Sequence, residues 1–327
     1  MTYLFLSSPD IVRDLGWTLI HFLWQGLVLA ALLQMILPMC RGAVARHNWT
    51  LGTLAMMAAA PVMTFLFIHG NGDGGASMTT FSATFHRGWV GTADALAPIS
   101  TSSPWIGWLV VFWLAGIAVL SLRALGGWYM AETLRRRDTL ALPADLLQRC
   151  HALKRRLALS WPIRFLQSHR VSVPVVVGWF HPVVLIPISL VTGLPPQQLD
   201  ALIMHELAHV RRLDAFVNIM LVVIETVLFY HPAIWWVSRR LRIEREHCCD
   251  DVAVSACGDA AIYVEALASV ETWKAIPGPA LAANGGTLKE RVTRLLGAPP
   301  AFRGPSVASI AGLLLFCSVM VAGIATA

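Results

Sequence analysis

The sequence predicts a mainly α, polytopic membrane protein with four transmembrane helices and an α+β domain inserted between the third and the fourth. Of its 327 residues, 56% are hydrophobic and only 13% are charged, whereas about a quarter of the residues in ordinary soluble chains are charged. Four apolar runs approach the roughly 20 residues that a helix needs to cross a bilayer. A long basic region with mixed helix and strand composition separates the last two runs.

The four apolar runs define the predicted organisation of the chain. The candidate transmembrane segments are 16–39, 51–68, 105–122 and 306–324. They divide the chain into a membrane region over 1–122, an inserted domain over 123–303 and a last membrane segment over 304–327. Tryptophans near the ends of several runs fit this division, because aromatic side chains favour the membrane–water interface.

The distribution of basic residues predicts the orientation in the membrane. All but four of the 25 lysines and arginines lie between residues 123 and 303, and cytoplasmic flanks carry the excess of these residues. We therefore expect the inserted domain in the cytoplasm and both chain termini outside. A basic patch at 154–156 lacks the aromatic interleaving of a nucleic-acid interface, so we expect contact with water or the lipid bilayer and no direct nucleic acid binding.

The first half of the inserted domain should contain a helix followed by strands. An amphipathic helix is expected over 144–159, and valine-rich strands between 163 and 187. Gly178 and Pro182 indicate a hairpin turn between two of these strands. A strand edge here could bind an extended peptide through main-chain hydrogen bonds, although a strand packed in the core explains the composition equally well.

The sequence M-HELAH-V at 204–210 predicts a metal site. His205 and His209 lie four residues apart, so a helix places them on one face, where both can bind the same ion. Glu206 would lie beside that ion as a general base. Zinc suits this set because it binds imidazole nitrogen and keeps a coordination position for water. The alternative is a helix whose histidines only hydrogen-bond to their neighbours.

A catalytic zinc site usually needs a third protein ligand, and the predicted helix over 239–257 offers several. Glu246 is the favoured ligand, because Asp250 lies four residues later and one of the two could orient a ligand histidine through a hydrogen bond. His247 and Cys248 also suit zinc and remain alternatives. The wider set of metal-binding side chains nearby comprises Glu225, His231, Glu244 and Cys249.

The apolar run 215–237 is long enough to span the membrane. A span there would place His205 and Glu246 on opposite sides of the bilayer, where they could not share a metal ion. We therefore predict a helical hairpin broken near His231–Pro232. It would be buried against the transmembrane helices or lie in the interface. Glu225 inside this run needs a partner such as an arginine.

These motifs resemble those of the BlaR/MecR-type membrane metalloproteases. The H-E-L-A-H motif is preceded by P-x-x-x-G-x-x-x-P at 174–182 and followed by R-x-D-x-x-x-N at 212–218 and R-E-x-x-C-D at 245–250. The segments W-T-L-I-H-x-L-W-Q-G at 17–26 and L-K-E-R-V-x-R-L-L at 288–296 look similar as well. The resemblance covers nearly the whole chain.

The resemblance implies a gluzincin-like zinc protease domain with one Zn2+ per chain, facing the cytoplasm from the bacterial inner membrane. It implies that Glu206 is the general base and that Asp250 hydrogen-bonds to a ligand without binding the metal itself. His231 and Arg245 are weaker candidates for binding the substrate or the oxyanion. The zinc ligands that it implies are His205, His209 and Glu246.

In this family, transmembrane signalling ends in cleavage of a repressor, of the protease itself, or of both. The resemblance therefore implies an antirepressor that cleaves a cytoplasmic protein, such as a DNA-binding repressor, and a homodimer is compatible with it. The small-residue segment 276–287 is a hypothetical self-cleavage or occluding loop. Antibiotic-sensing members carry a penicillin-binding domain after the fourth span. The sequence stops at Ala327, so we expect a member without that sensor or a truncated chain.

Two other functions are compatible with the same residues. One is a housekeeping membrane protease of the HtpX type, which shares H-E-x-x-H and a later glutamate. The other is a non-catalytic membrane transducer or scaffold in which the metal only stabilises the inserted domain.

Overall fold

The protein is mainly helical, with a small mixed sheet, in the computed structural model. The structure describes residues 9–72, 104–136, 139–178, 180–274 and 288–297. The helices are α1 (Pro9–Ile36), α2 (Ala43–Gly72), α3 (Pro104–Arg136), α4 (Ala144–Arg156), α5 (Ile188–Gly193), α6 (Pro196–Arg211), α7 (Asp214–Val227), α8 (Pro232–Cys257), α9 (Ala260–Lys274) and α10 (Leu288–Leu295). The strands are β1 (Thr139–Ala141), β2 (Arg164–Ser168), β3 (Val175–Val177) and β4 (Val183–Pro187).

Within the described residues, three helices are long and apolar enough to cross a membrane, which supports a multi-pass membrane protein. They cover Asp10–Met39, Ala43–Gly70 and Trp105–Arg136. Each includes one of the first three predicted spans and extends beyond it at one or both ends. The fourth predicted span, 306–324, and the hypothetical cleavage loop, 276–287, lie outside the described residues.

The sheet has the strand order β1-β2-β4-β3. Strand β2 pairs in parallel with β4, and β1 and β3 are antiparallel to their neighbours. The predicted hairpin is confirmed, because β3 and β4 pair around the segment from Gly178 to Pro182. Gly178 has a φ of +94° and a side chain there would meet the carbonyl of His181 at 2.9 Å, so the turn requires glycine. The sequence left open whether this segment forms a strand edge or a strand packed in the core. Both kinds of strand occur in the described residues: β3 lies at the edge of the sheet, and β4 is fully buried.

The hydrophobic residues of the described chain form two separate cores. One lies between the sheet and helices α4, α6, α8 and α9. The second joins helices α1 and α2 to α7 and the first half of α8. Its central members are Phe22, Leu33, Leu54, Met57, Leu221, Ile234 and Val237. Helix α8 therefore contributes to both cores, with its N-terminal half among the membrane helices.

The predicted helical hairpin is confirmed at its predicted break. Helix α7 ends at Val227 and α8 begins at Pro232, where the proline occupies the first turn, a position that needs no backbone N–H. The His231 side chain caps α8 by accepting a hydrogen bond from the N–H of Ala233 at 3.1 Å. Helix α8 then continues without interruption through the predicted helix at 239–257 to Cys257.

Candidate metal centre

Helix α6 presents the two histidines from a buried position. Its apolar residues Leu202, Ile203 and Leu207 are buried in the core, with exposures of 5% or less. His205 is itself buried and His209 is partly buried. The helical spacing of four residues brings their Nε2 atoms to within 3.2 Å of each other.

Helix α8 brings Glu246 to the same point. Its Oε2 atom lies 3.5 Å from Nε2 of His205, and its Oε1 atom lies 4.0 Å from Nε2 of His209. A tetrahedral zinc ion with ligand distances of about 2.0–2.2 Å holds its ligand atoms roughly 3.3–3.5 Å apart. The two imidazoles and the carboxylate fit one zinc ion in donor type. The separations of 3.2 and 3.5 Å agree with a tetrahedral ion, and the separation of 4.0 Å between Glu246 and His209 is longer.

Asp214, at the start of α7, engages the second ring nitrogen of His209. Its Oδ2 atom lies 2.8 Å from Nδ1 of His209, and its side chain is 4% exposed. A carboxylate in this position fixes the tautomer of a ligand histidine and leaves Nε2 free for the metal. Sequence reasoning placed Asp214 in a family motif but assigned it no role, because only the fold shows which ring atom it reaches.

Cys249 lies beside this pair without being a good ligand. Its Sγ atom is 3.3 Å from Nδ1 of His209 and 3.6 Å from Oδ2 of Asp214. Burial raises the pKa of the Cys249 thiol well above its usual range. The group His209, Asp214 and Cys249 is thus a second cluster of metal-binding atoms by distance. Its thiol nevertheless stays protonated and donates to Asp214.

Tyr263, from α9, engages the second ring nitrogen of His205. The phenol oxygen lies 2.8 Å from Nδ1 of His205 and donates a hydrogen bond of 2.6 Å to Oδ1 of Asp250. Asp250 itself lies 3.4 Å from the same ring nitrogen. Each histidine is therefore backed by a carboxylate, directly for His209 and largely through a buried tyrosine for His205. No motif in the sequence pointed to Tyr263.

Arg291, from α10, contacts both Asp250 and Glu246. Its Nε donates to Oδ2 of Asp250 at 3.0 Å, its Nη2 also contacts Oδ1 of Asp250, and its Nη1 lies 3.8 Å from Oε2 of Glu246. Burial alone would raise the pKa of Asp250, but His205 and Arg291 hold it well below its usual range. For Glu246, burial is likewise outweighed by both histidines and Arg291, which lower its pKa. Both carboxyls are therefore ionised at neutral pH.

The predicted base, Glu206, follows His205 on α6 and is partly exposed. Burial raises its pKa, while the neighbouring His209 and His205 act in the opposite direction. A carboxyl with a raised pKa is better suited to hold a proton between two transfers than an ordinary surface glutamate.

The candidates for substrate or oxyanion binding occupy two different places. The Nη2 atom of Arg245 lies 3.5 Å from Oε1 of Glu246, at the centre. His231 lies between α8 and α1, where its two ring nitrogens bond to the N–H of Ala233 and the carbonyl of Leu23.

The other side chains considered as ligands have partners elsewhere. Glu225 binds Arg242 through both carboxylate oxygens, at 2.7 and 2.8 Å, so the expected arginine partner is confirmed. Glu244 contacts His247, with 3.4 Å between Oε2 and Nδ1. Among the described residues, neither His247 nor Cys248 belongs to the three-ligand group.

Comparison with known proteins matches the chain to a peptidase family. The family profile described as BlaR1 peptidase M56 matches residues 12–295. Among curated proteins, the chain is similar to the regulatory protein BlaR1 of Bacillus licheniformis, with 22% identity over 172 residues. That alignment covers 53% of this chain and 28% of the relative, so the chain matches less than a third of the length of that protein.

Proposed function

The chain belongs to the BlaR1 peptidase M56 family, and on this premise we propose that it is an integral-membrane zinc endopeptidase that cleaves a cytoplasmic protein as the output of transmembrane signalling. The family makes it a membrane metallopeptidase. Zinc as the ion, the identity of the substrate and the signalling role are the proposed parts.

One observation supports this function above all others. The nitrogen atoms of His205 and His209 and the carboxylate of Glu246 lie 3.2–4.0 Å from one another, and Glu206 follows the first ligand on the same helix. Each histidine is oriented from behind, which leaves one nitrogen of each ring directed to a shared point. Two histidines with only a structural role would need neither a carboxylate facing both rings nor a hydrogen-bond partner behind each ring.

Peptide hydrolysis follows from the side chains at the centre. When bound, zinc supplies Lewis-acid chemistry that polarises a peptide carbonyl and a water molecule. Glu206 accepts a proton from the attacking water, whose oxygen forms a bond to the carbonyl carbon. As the carbon–nitrogen bond breaks, Glu206 returns that proton to the leaving amine. Arg245, with its guanidinium beside Glu246, is our candidate for a donor to the carbonyl oxygen as negative charge develops there.

Strand β3 supports a substrate bound in an extended conformation. Within the described residues, β3 has β4 as its neighbouring strand, so its other edge can pair with a peptide. An apolar cavity is lined by Val176 from β3 and by Val210, which follows His209. We infer that an apolar side chain of the substrate occupies this cavity. The first substrates to test are the chain itself and any small DNA-binding repressor that is found to be encoded beside this gene.

The decisive experiment compares wild-type protein with Glu206→Gln in liposomes. Metal content measured by mass spectrometry should be about one zinc per chain in both, because Glu206 is not a ligand. Cleavage of the repressor should fall by roughly 10²- to 10⁴-fold, the usual contribution of a general base. Zinc binding with cleavage or signalling unchanged by the substitution would instead support a scaffold.

A housekeeping protease is separated from this proposal by its substrate range. A signalling protease should cleave one defined repressor, or itself, and leave unrelated misfolded membrane proteins intact. Comparable cleavage of both kinds of substrate by the wild-type protein would favour the housekeeping function.

A further inference from the structure

The turn between α7 and α8 contacts the middle of helix α1. The Tyr230 hydroxyl donates to the carbonyl of Leu19 at 3.2 Å. Because Nδ1 of His231 accepts a hydrogen bond, its Nε2 carries the proton and donates to the carbonyl of Leu23 at 3.0 Å. A Cβ atom at Gly26 would lie only 2.6 Å from this ring nitrogen. Leu23 and Gly26 lie at the centre of the apolar segment Asp10–Met39, and Leu19 lies about one turn before them.

The same turn contacts the middle of helix α3. The indole nitrogen of Trp113 donates to the carbonyl of Val227 at 2.8 Å. The ring of Phe229 packs on Gly116, where a Cβ atom would lie 2.2 Å from its Cζ atom. Trp113 and Gly116 lie at the centre of the predicted span 105–122. Two membrane helices therefore place the turn at the same depth, close to the midplane.

Polar groups of the turn find partners inside the protein. Besides the carbonyl of Val227, the carbonyl of Leu228 accepts from the N–H of His231 at 3.1 Å. The carbonyl of Phe229 accepts from the indole of Trp235 at 2.7 Å. Irregular backbone is tolerated in hydrocarbon only where its polar groups are satisfied in this way.

The charged residue deep in α7 is also neutralised within the hairpin. Glu225 lies only two residues from the end of α7, and both of its carboxylate oxygens bind Arg242 of α8. Ionisable residues inside a membrane characteristically pair with one another. The long side chain of Arg242 thus reaches from near the surface end of its arm to Glu225 and compensates the charge of that carboxylate.

The outer face of α7 is apolar and exposed. Ile219, Met220, Val223 and Val227 follow one another at spacings of one, three and four residues, and between 37% and 51% of each is exposed. Such a stripe on one helix face is unfavourable in water. Trp113 connects α7 to α3, whose apolar residues Trp108, Val111 and Phe112 are also exposed.

The lengths of the two arms match half of a bilayer. Half of the hydrocarbon core is about 15 Å, or about ten residues of helix. Counting from the turn, one arm should reach the surface near residue 217 and the other near Arg242. Charged residues lie near these points, with Asp214 and Arg212 beyond the end of the first arm and Arg239, Arg240 and Arg242 in the last turn of the second. Long arginine side chains near the end of a membrane helix can place their charge at the interface.

We propose that residues 214–242 form a re-entrant hairpin, which enters the bilayer between α1 and α3, turns at the midplane and presents α7 to lipid acyl chains. This assignment is independent of the proposed peptidase activity. It places His209 and Glu246 immediately beyond the two arms, at the membrane surface.

Acyl-chain photocrosslinking tests the hairpin in the wild-type protein. The full chain is reconstituted with phosphatidylcholine that carries a diazirine midway along one acyl chain, irradiated, digested and mapped by fragmentation. The tryptic peptide 213–239 covers most of the hairpin, 88–123 includes most of the α3 span and 138–149 reports on α4. We expect adducts at 219–227 with a yield within roughly twofold of that on α3, since both lie at hydrocarbon depth. A yield on 213–239 no higher than that on 138–149 would overturn the proposal.

A pair of glycine variants tests the depth of the turn. Gly116→Ala should displace Phe229 and lower the adduct yield at 219–227 by about twofold or more, because packed interiors do not accommodate an atom at this distance. Gly107→Ala on the same helix meets no atom of the described chain within 4 Å and should leave the yield unchanged. Equal yields from the two variants would show that the turn does not sit against Gly116. Neither measurement depends on cleavage, so the hairpin and the peptidase can fail separately.

Discussion

Arg46 and Glu244 form an ion pair that joins α2 to α8, the helix that carries the proposed ligand Glu246. The Nε atom of Arg46 lies 3.4 Å from Oε2 of Glu244, whose side chain is completely buried. Arg240 and His247 contact the same carboxylate. Glu244 lies two residues before Glu246, so this pair connects a membrane helix to the immediate neighbourhood of the metal centre.

Removing the arginine of this pair should destabilise the protein. Arg46→Met leaves a buried carboxylate with one fewer cation, and we expect a loss of about 1–3 kcal/mol, because Arg240 and His247 still compensate part of the charge. Thermal unfolding in detergent measures the effect. Arg41→Met, at an exposed position just before α2, is the matched control. Equal melting temperatures for both variants would contradict the role of the pair.

Acid should destabilise the protein through Glu244. Burial alone would raise its pKa, but the hydrogen bond from His247 and the charges of Arg240 and Arg46 lower it in the folded state. The ordinary value is about 4.3. The stabilisation is therefore complete above that pH and is lost as the pH falls through the lower, folded value. Melting temperatures should decline below about pH 4.5, and the decline should be shallower in Glu244→Gln. Parallel curves for the two proteins would count against this assignment.

Zinc affinity should increase with pH up to about 9. In the metal-free protein, burial alone would lower the pKa of His205, but Asp250 and Glu246 raise it to about 9. Metal binding must then displace a proton below that pH, so affinity should rise by about tenfold per pH unit from this residue alone. Competition with a chelator between pH 6 and 9, corrected for the chelator's own titration, measures the slope. An affinity that is constant over this range would refute the prediction.

Asp214 should support zinc binding through His209. Asp214→Asn keeps the shape of the side chain but weakens its hold on Nδ1, and we expect zinc affinity to fall by about 10- to 100-fold. Asp251→Asn is the matched control, because Asp251 is an exposed carboxylate that pairs with Arg294 away from the ligands. Chelator competition should show almost no change for the control. A similar loss in both variants would point to a general effect of charge.

Local sequence patterns predicted the parts of the site that a single helix determines. The four-residue spacing of His205 and His209 fixes their common face before any tertiary contact forms. The break at Pro232 was predictable for a similar reason, since proline favours the first turn of a helix. Glu246 required one further argument, that a third ligand is usual and that Asp250 lies four residues after Glu246, and α8 does bring Glu246 to the histidines.

The supporting residues could not be predicted because they arrive from separate elements. Tyr263 and Arg291 meet Asp250 only through the packing of α9 and α10 against α8, and no sequence spacing encodes that contact. The lengths of the membrane helices were underestimated for another reason. An apolar run ends where charged residues begin, but a helix can continue through them. In α3, Glu132 forms ion pairs with Arg135 and Arg136 at helical spacing, and these pairs stabilise the helix beyond its apolar part.

The unbroken course of α8 has a mechanical consequence. Glu246 lies 14 residues beyond Pro232 on one helix, a separation of about 21 Å at 1.5 Å per residue. If α8 tilted as a rigid body by about 5° about Pro232, Glu246 would move by nearly 2 Å, which is about the length of a bond between zinc and oxygen. A small tilt among the membrane helices would thus suffice to pull a carboxylate out of coordination, without any change in the fold around it.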